Sequence, residues 1–160
     1  MRVIFVVVGC SLLFFVEFSI YNLFDNEFVP NLLLIFIVFM NLYAGVRFSI
    51  LAALVAGMLR DSYSIDLFGM HTLAFIGCAY LTTIIKKYIY RKGSVSSRIL
   101  LVGIMLSINF FLLLIFHLMV LEVSPVRLMT KVFLPQLAVT LILTNIVLEL
   151  LRSCAIKLSA

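Results

Sequence analysis

Long, uninterrupted apolar runs are the feature that most constrains how this chain folds. Hydrophobic residues make up 65% of its 160 residues, whereas an average soluble domain holds about 45–50%. A helix that crosses a bilayer takes about 20 mostly apolar residues, so the excess supplies about five or six crossings. The sequence therefore predicts an integral membrane protein. With a charged share of 12% there is no room for a separate soluble domain, which excludes soluble enzymes and nucleic-acid-binding proteins.

Breaks in hydropathy predict six helices in a single transmembrane domain over residues 1–160. The runs are too long and alternate too poorly for barrel strands, and helices satisfy their own backbone polar groups in lipid, so the expected fold is all-α. The approximate spans are 3–24, 32–46, 48–59, 67–85, 99–121 and 132–151. The second and third are short for a crossing. They form either two tight spans that turn at Gly45-Val46-Arg47 or a re-entrant hairpin buried against the other four.

The placement of basic residues predicts the orientation in the bilayer. Five of them fall between Lys86 and Arg98, with no acidic residue among them. Basic loops stay on the cytoplasmic side, so both termini are expected in the cytoplasm, with nine of the 12 basic residues inside and three outside. The net charge of +5 is then an orientation signal. Specific binding of a lipid headgroup or of nucleic acid is the alternative, and the composition argues against nucleic acid.

A row of small residues is the strongest packing feature. Gly45, Ser49, Ala53 and Gly57 recur every fourth residue, so on a helix they form one shallow face. Small faces allow membrane helices to approach closely. This small-residue face is predicted to pack either against a helix of the same chain or against the transmembrane helix of a partner protein.

Asp61 lies four residues beyond Gly57, near the predicted outer surface. A carboxylate close to a membrane needs a partner. Arg60 is adjacent but points about 100° away on a helix. The expected partners are neighbouring spans or a helix N-terminus near Leu67, where Asp61 would act as a cap. Contact with a partner protein or a substrate is the alternative.

Five further polar residues fall inside apolar runs: Glu17, Asn41, His117, Asn109 and Asn145. Glu17 is expected to be protonated or paired with Asn109 or Asn145 from another span, because an ionised group is costly in lipid. Hydrogen bonding between helices is the favoured role. Proton-coupled transport is the alternative, although it usually needs several converging polar groups.

The sequence contains no recognisable catalytic, metal or cofactor motif. His71 and His117 are the only histidines, and neither has a second ligand at helical spacing. The three cysteines show no paired spacing. Nucleophile turns, metalloprotease helices and phosphate-binding glycine loops are absent. The chain is therefore predicted to be no enzyme and to hold no cofactor or metal ion.

Several short motifs resemble those of the MreD family of rod shape-determining membrane proteins. They cover about residues 29–92 and are Val29-Pro30-Asn31-Leu32-Leu33-Leu34, the small-residue stretch Ala52–Gly57, Asp61, Leu67-Phe68-Gly69 and the basic segment after Tyr80–Lys87.

The resemblance matches the family at Pro30, Gly57, Asp61 and Gly69. It departs at two places, since the family usually has Pro-Asp where this chain has Pro30-Asn31. The family also has an apolar residue before its aspartate, where this chain has Arg60.

The resemblance implies a non-enzymatic inner-membrane subunit of the bacterial cell-elongation machinery, which controls cell shape and lateral peptidoglycan synthesis. The implied partners are an MreC-like single-span protein and, directly or through it, a RodA-like glycosyltransferase and a class B penicillin-binding protein. The resemblance also implies a fold similar to the six-helix substrate-binding subunits of energy-coupling-factor vitamin transporters. Membership of such a transporter is the alternative function.

Overall fold

The computed structural model describes residues 2–24, 29–63, 68–90, 94–120, 129 and 133–159. Over these ranges the chain forms six helices and no strand, which confirms the predicted all-α fold. The helices are α1 (Arg2–Phe24), α2 (Leu32–Tyr43), α3 (Val46–Asp61), α4 (Met70–Ile89), α5 (Val95–Val120) and α6 (Leu134–Ser159).

Four of the six helices are long and apolar enough to cross a membrane. They lie in α1, α4, α5 and α6, over Val3–Leu23, Met70–Ile89, Val95–Phe116 and Leu134–Ser153. Helix α2 has 12 residues and α3 has 16, which correspond to about 18 Å and 24 Å at 1.5 Å per residue. A bilayer core is about 30 Å thick. The two short helices are the pair for which the sequence left two interpretations open.

Helix α2 lies at the centre of the bundle. It contacts each of the other five helices, and all ten residues from Leu32 to Asn41 are buried. The sequence explains this position, because the run has no polar residue before Asn41 and therefore no face that prefers water. The other helices are buried on one side only: α1 turns Val6, Cys10 and Glu17 inward and exposes residues of its opposite side.

A glycine separates α2 from α3. The backbone N–H groups of Ala44 and Gly45 both donate to the Met40 carbonyl at 2.9 Å, which closes the last turn of α2. Gly45 has φ +93°, a left-handed conformation that favours glycine. Gly45 therefore forms the turn and does not continue the helical face of Ser49, Ala53 and Gly57.

The contacts that charged side chains make between helices lie at two opposite ends of the bundle. At the Glu17 end, α3 finishes beside the beginnings of α2 and α4, as the contacts of Arg60 with Asn31 and of Asp61 with His71 show. At the Arg98 end, the Lys86 ammonium of α4 donates to the Asn41 carbonyl near the end of α2 at 2.9 Å, and Arg98 lies buried in the first turn of α5.

Two predicted features fall partly outside the described residues. Leu67, near which a helix N-terminus was expected, is outside them, and α4 begins at Met70. Residues 91–93 of the basic loop are also outside them.

Candidate functional site

The first turn of α2 is buried, and this creates a demand for polar partners. The first N–H groups of a helix have no acceptor within the helix. Asn31 precedes α2, is only 1% exposed and accepts a hydrogen bond from the Leu34 N–H at 3.1 Å through its side-chain oxygen. The Asn31 N–H donates to the Thr140 hydroxyl of α6 at 3.0 Å. Pro30, a matched family position, is buried directly before this cap.

A buried ion pair completes the surroundings of the α2 cap. Glu17 of α1 lies 2.8 Å from Arg60 of α3, and its second carboxylate oxygen accepts the Leu33 N–H at 3.4 Å. Arg60 also donates to the Asn31 side-chain oxygen at 3.2 Å. We call Glu17, Asn31, Arg60 and Thr140 the α2 cap cluster. It joins α1, α3 and α6 to the start of α2.

The partner that the sequence predicted for Glu17 was wrong. The structure pairs this carboxylate with Arg60 and not with Asn109 or Asn145. Asn109 and Asn145 do not meet Glu17, and each has a buried side-chain oxygen with no hydrogen-bond partner in the described part of the chain. Consecutive residues point about 100° apart on a helix. Asp61 therefore faces α4, whereas the Arg60 guanidinium points elsewhere and reaches Glu17 of α1.

Asp61 caps the N-terminus of α4. One of its oxygens accepts the His71 N–H at 3.0 Å and lies 3.1 Å from His71 Nδ1. The other accepts the Thr72 N–H at 3.1 Å and the Thr72 hydroxyl at 2.6 Å. A carboxylate that satisfies first-turn N–H groups also interacts favourably with the positive end of the helix dipole. Asp61 therefore joins the end of α3 to the start of α4.

Gly69 allows the chain to enter α4 in the orientation that Asp61 needs. Its φ of +103° lies in the left-handed region, where a side chain would be strained. The residue precedes Met70 and has no side-chain capping bond of its own, so the carboxylate of Asp61 supplies the cap from another helix.

The small-residue face is covered by helices of this chain. A Cβ added at Gly57 would lie 2.4 Å from the Thr72 Cα and 2.7 Å from its hydroxyl oxygen, so α3 and α4 are in backbone contact there. Ala53 is fully buried, and the Ser49 hydroxyl donates to the Ile37 carbonyl of α2 at 3.0 Å. Since α2 and α4 occupy this face, a partner's helix has no room on it.

The side chains at the Glu17 end connect helices to one another. The described residues contain no group of three or more His, Cys, Asp or Glu side chains that could hold a metal ion; the side chain of His117 lies outside the described part. The carboxylates of Glu17 and Asp61 both accept backbone N–H groups, which fixes the positions of helices.

Sequence reasoning missed Arg60, Asn31, Thr72 and Thr140 as partners in this site. One signal pointed to two of them, because Asn31 and Arg60 are the two positions that depart from the family pattern. The structure brings these two side chains into direct contact.

Comparison with known proteins agrees with the sequence motifs. A family model described as rod shape-determining protein MreD matches residues 1–154. No curated protein and no solved structure matches the chain.

Proposed function

This chain belongs to the MreD family of rod shape-determining proteins, and from that premise we propose that it is a non-enzymatic scaffold subunit of the bacterial cell-elongation complex. The observation that carries the proposal is the family match over residues 1–154 of the 160-residue chain. The proposed partner is an MreC-like single-span protein. Through it, or directly, the chain engages a RodA-like glycosyltransferase and a class B penicillin-binding protein, and so controls lateral peptidoglycan synthesis.

The proposed mechanism is helix packing on the outside of the bundle. Since the small-residue face is occupied within the chain, we place the partner's helix on the α1 outer face (Ser11, Leu12, Phe15 and Ser19). All four residues are exposed, and Phe15 is 70% exposed. The Ser11 and Ser19 hydroxyls donate to the carbonyls four residues earlier at 2.9 and 2.8 Å. Two short side chains with satisfied hydroxyls favour close approach of a second helix.

The joints at the Glu17 end support a scaffold role. They connect α1, α3, α4 and α6 to the buried helix α2 or to each other through charged and capped contacts. A bundle held in one arrangement can present the α1 outer face in a fixed orientation, which lowers the ordering cost of binding.

The proposed topology has one domain, two cytoplasmic termini and a full crossing by both α2 and α3. Its support is the position of Arg47, which is exposed in the first turn of α3 directly after the turn that leaves the Arg98 end. A cysteine at Arg47, in a chain without native cysteines, should be labelled by a membrane-impermeant maleimide only from the cytoplasmic side. Protection from both sides would instead mean a buried hairpin.

The function is tested by purifying the tagged full-length chain in mild detergent from its native membrane and identifying the co-purifying proteins. Recovery of an MreC-like protein and the elongation glycosyltransferase is expected. Recovery of an ATP-binding-cassette pair with its coupling subunit would overturn the scaffold proposal in favour of vitamin uptake.

The partner face is tested separately with a photo-crosslinking amino acid at Leu12. The matched control is the same group at Ile142, an exposed apolar position on α6. Crosslinking to the MreC-like protein is expected from Leu12 and not from Ile142. The double substitution Ser11→Leu and Ser19→Leu should weaken co-purification while the protein stays inserted. Crosslinking from Ile142 alone would move the partner to α6.

A further inference from the structure

Helices α1 and α3 lie side by side and run in the same direction, and their contacts fix how far each one reaches. The Cys10 thiol of α1 donates to the Ala52 carbonyl of α3 at 3.7 Å, and Glu17 lies 2.8 Å from Arg60. The two pairs are offset by 42 and 43 residues along the chain. This register places the first residue of α3 level with Val3, at which the apolar span of α1 begins.

At the Glu17 end, α3 finishes before α1 does. The ring centroid of Tyr63, which follows α3, lies 4.7 Å from that of Phe18 and 5.6 Å from that of Tyr21. The same register puts Asp61, the last residue of α3, level with Phe18. The apolar span of α1 continues to Leu23, which is about 7.5 Å further at 1.5 Å per residue. The two helices therefore start level, and α3 is the shorter.

Helix α4 begins where α3 ends, and its apolar part has about the same length. Asp61 caps its first turn by accepting the His71 N–H at 3.0 Å. Its candidate span runs to Ile89, but the last turn holds Lys86 and Lys87. The distance from the start of α4 to Lys86 is about 24 Å, the same as the length of the 16-residue helix α3. Both lengths are about 6 Å short of a bilayer core.

These two helices expose apolar side chains between their polar ends. We call this surface the α3–α4 wall: Leu54 and Met58 of α3, and Leu73, Tyr80 and Ile84 of α4. On α3 the wall is bounded by two exposed residues of the same face, Arg47 and Ser62, which are about 22 Å apart. Arg60 cannot follow lipid headgroups outward, because its guanidinium is held 2.8 Å from the buried carboxylate of Glu17. The apolar height of the wall is therefore fixed by the fold.

We propose that the α3–α4 wall is an interaction surface for a locally thinned bilayer, formed by phospholipids with short acyl chains. Hydrocarbon of ordinary thickness would cover the polar ends of the wall, which is costly, whereas thinning the bilayer costs little for each ångström of mismatch. The 21-residue span of α1 needs no such thinning. The inference rests on the proposed full crossing of α3, and it uses neither the scaffold function nor a protein partner.

The test uses tryptophan fluorescence, because the chain contains no tryptophan of its own. Met58→Trp places a reporter on the α3–α4 wall. Phe15→Trp on α1 is the matched control, since both positions are exposed and the register of the two helices puts them level. Each purified full-length variant is reconstituted with brominated dioleoylphosphatidylcholine, which quenches nearby tryptophan. Unbrominated phosphatidylcholines with shorter or equal chains then compete, which gives the relative affinity of each lipid at each position.

At Met58→Trp, dimyristoleoylphosphatidylcholine should compete better than dioleoylphosphatidylcholine by about twofold or more. At Phe15→Trp the shorter lipid should have no advantage. Absence of a short-chain preference at Met58→Trp would overturn the proposal. Equal preferences at both positions would mean that the whole bundle thins the bilayer, which overturns the assignment to the wall. A reporter at Met58 that lipid does not quench would mean that protein, such as a second copy of the chain, covers the wall, and the lipid assignment would be wrong.

Two further measurements test the parts of the inference separately. Tyr80→Trp should show the same short-chain preference as Met58→Trp, and a preference for dioleoylphosphatidylcholine there would overturn the two-helix wall. Labelling of Arg47→Cys by an impermeant maleimide reports the crossing of α3. Labelling from the cytoplasmic side without a short-chain preference at Met58→Trp would overturn this inference and leave the proposed crossing intact. Protection of Arg47→Cys from both sides would overturn both.

Discussion

Buried charged side chains are paired at the Glu17 end of the bundle and lack a charged partner among the described residues at the Arg98 end. At the Glu17 end, Glu17 meets Arg60 at 2.8 Å, and Asp61 accepts backbone and side-chain donors of α4. At the Arg98 end, Arg98 is as deeply buried but has no carboxylate beside it among the described residues. The buried carboxylates of the first end have their partners within the chain, whereas the described residues offer Arg98 no carboxylate partner at the second. Loss of a charge should therefore be expensive at the first end and mild at the second.

The largest effect is expected from Arg60→Met, which leaves the Glu17 carboxylate buried without its counter-charge. The free energy of unfolding should fall by about 3 kcal/mol, the scale for breaking a buried ion pair from one side. Unfolding by sodium dodecyl sulfate from a mild-detergent micelle measures this change. The double variant Glu17→Gln with Arg60→Met should recover most of the loss, because no unpaired charge remains. A loss below about 0.5 kcal/mol in the single variant, typical of an exposed pair, would contradict the comparison.

The next effect tests the joint between α3 and α4 by adding one methyl group. Gly57→Ala places a Cβ within 2.4 Å of the Thr72 backbone, so the two helices must separate at a cost of about 2 kcal/mol. Gly77→Ala is the matched control, since its Cβ would lie 3.5 Å from a Leu112 methyl group, an ordinary contact. Equal unfolding free energies for the two variants would show that α3 and α4 do not touch at Gly57.

A smaller loss of unfolding free energy is expected from Asp61→Asn. The variant keeps one acceptor oxygen, but the other becomes an NH2 group, which cannot accept from the donors of α4. The variant should lose about 1–2 kcal/mol, the range of a helix cap and its charged hydrogen bonds. Hydrogen exchange should accelerate at the backbone amides of His71 and Thr72, because both donate hydrogen bonds to the Asp61 carboxylate. The neighbouring variant Ser62→Ala is the control, because that exposed hydroxyl donates only to its own helix at Met58. Unchanged exchange in Asp61→Asn would mean that Asp61 does not cap α4.

The helices were predictable from the sequence, and their contacts were only partly so. Apolar runs locate all six helices because burial in lipid or in the bundle needs no particular partner. The spacing of Ser49, Ala53 and Gly57 predicts a packing face for the same reason. Which helix covers that face depends on the tertiary arrangement of the bundle, which the spacing does not specify. The partner of Glu17 is another, since Arg60 is distant in sequence and its direction depends on how α3 sits against α1.

The smallest effect is expected at the Arg98 end, from Lys86→Gln. The Lys86 ammonium donates to the Asn41 carbonyl near the C-terminus of α2 at 2.9 Å. Its loss should cost about 0.5–1 kcal/mol, the scale of a cation at a helix C-terminus. Lys87→Gln is the control, because it removes the same charge from an exposed neighbour and should change the free energy of unfolding very little. Since the acceptor is a neutral carbonyl, removing Lys86 leaves no buried charge unpaired, in contrast to Arg60→Met. A loss of about 3 kcal/mol in Lys86→Gln, the scale of a broken buried ion pair, would show that the Arg98 end is also held together by charge, and the distinction between the two ends would fail.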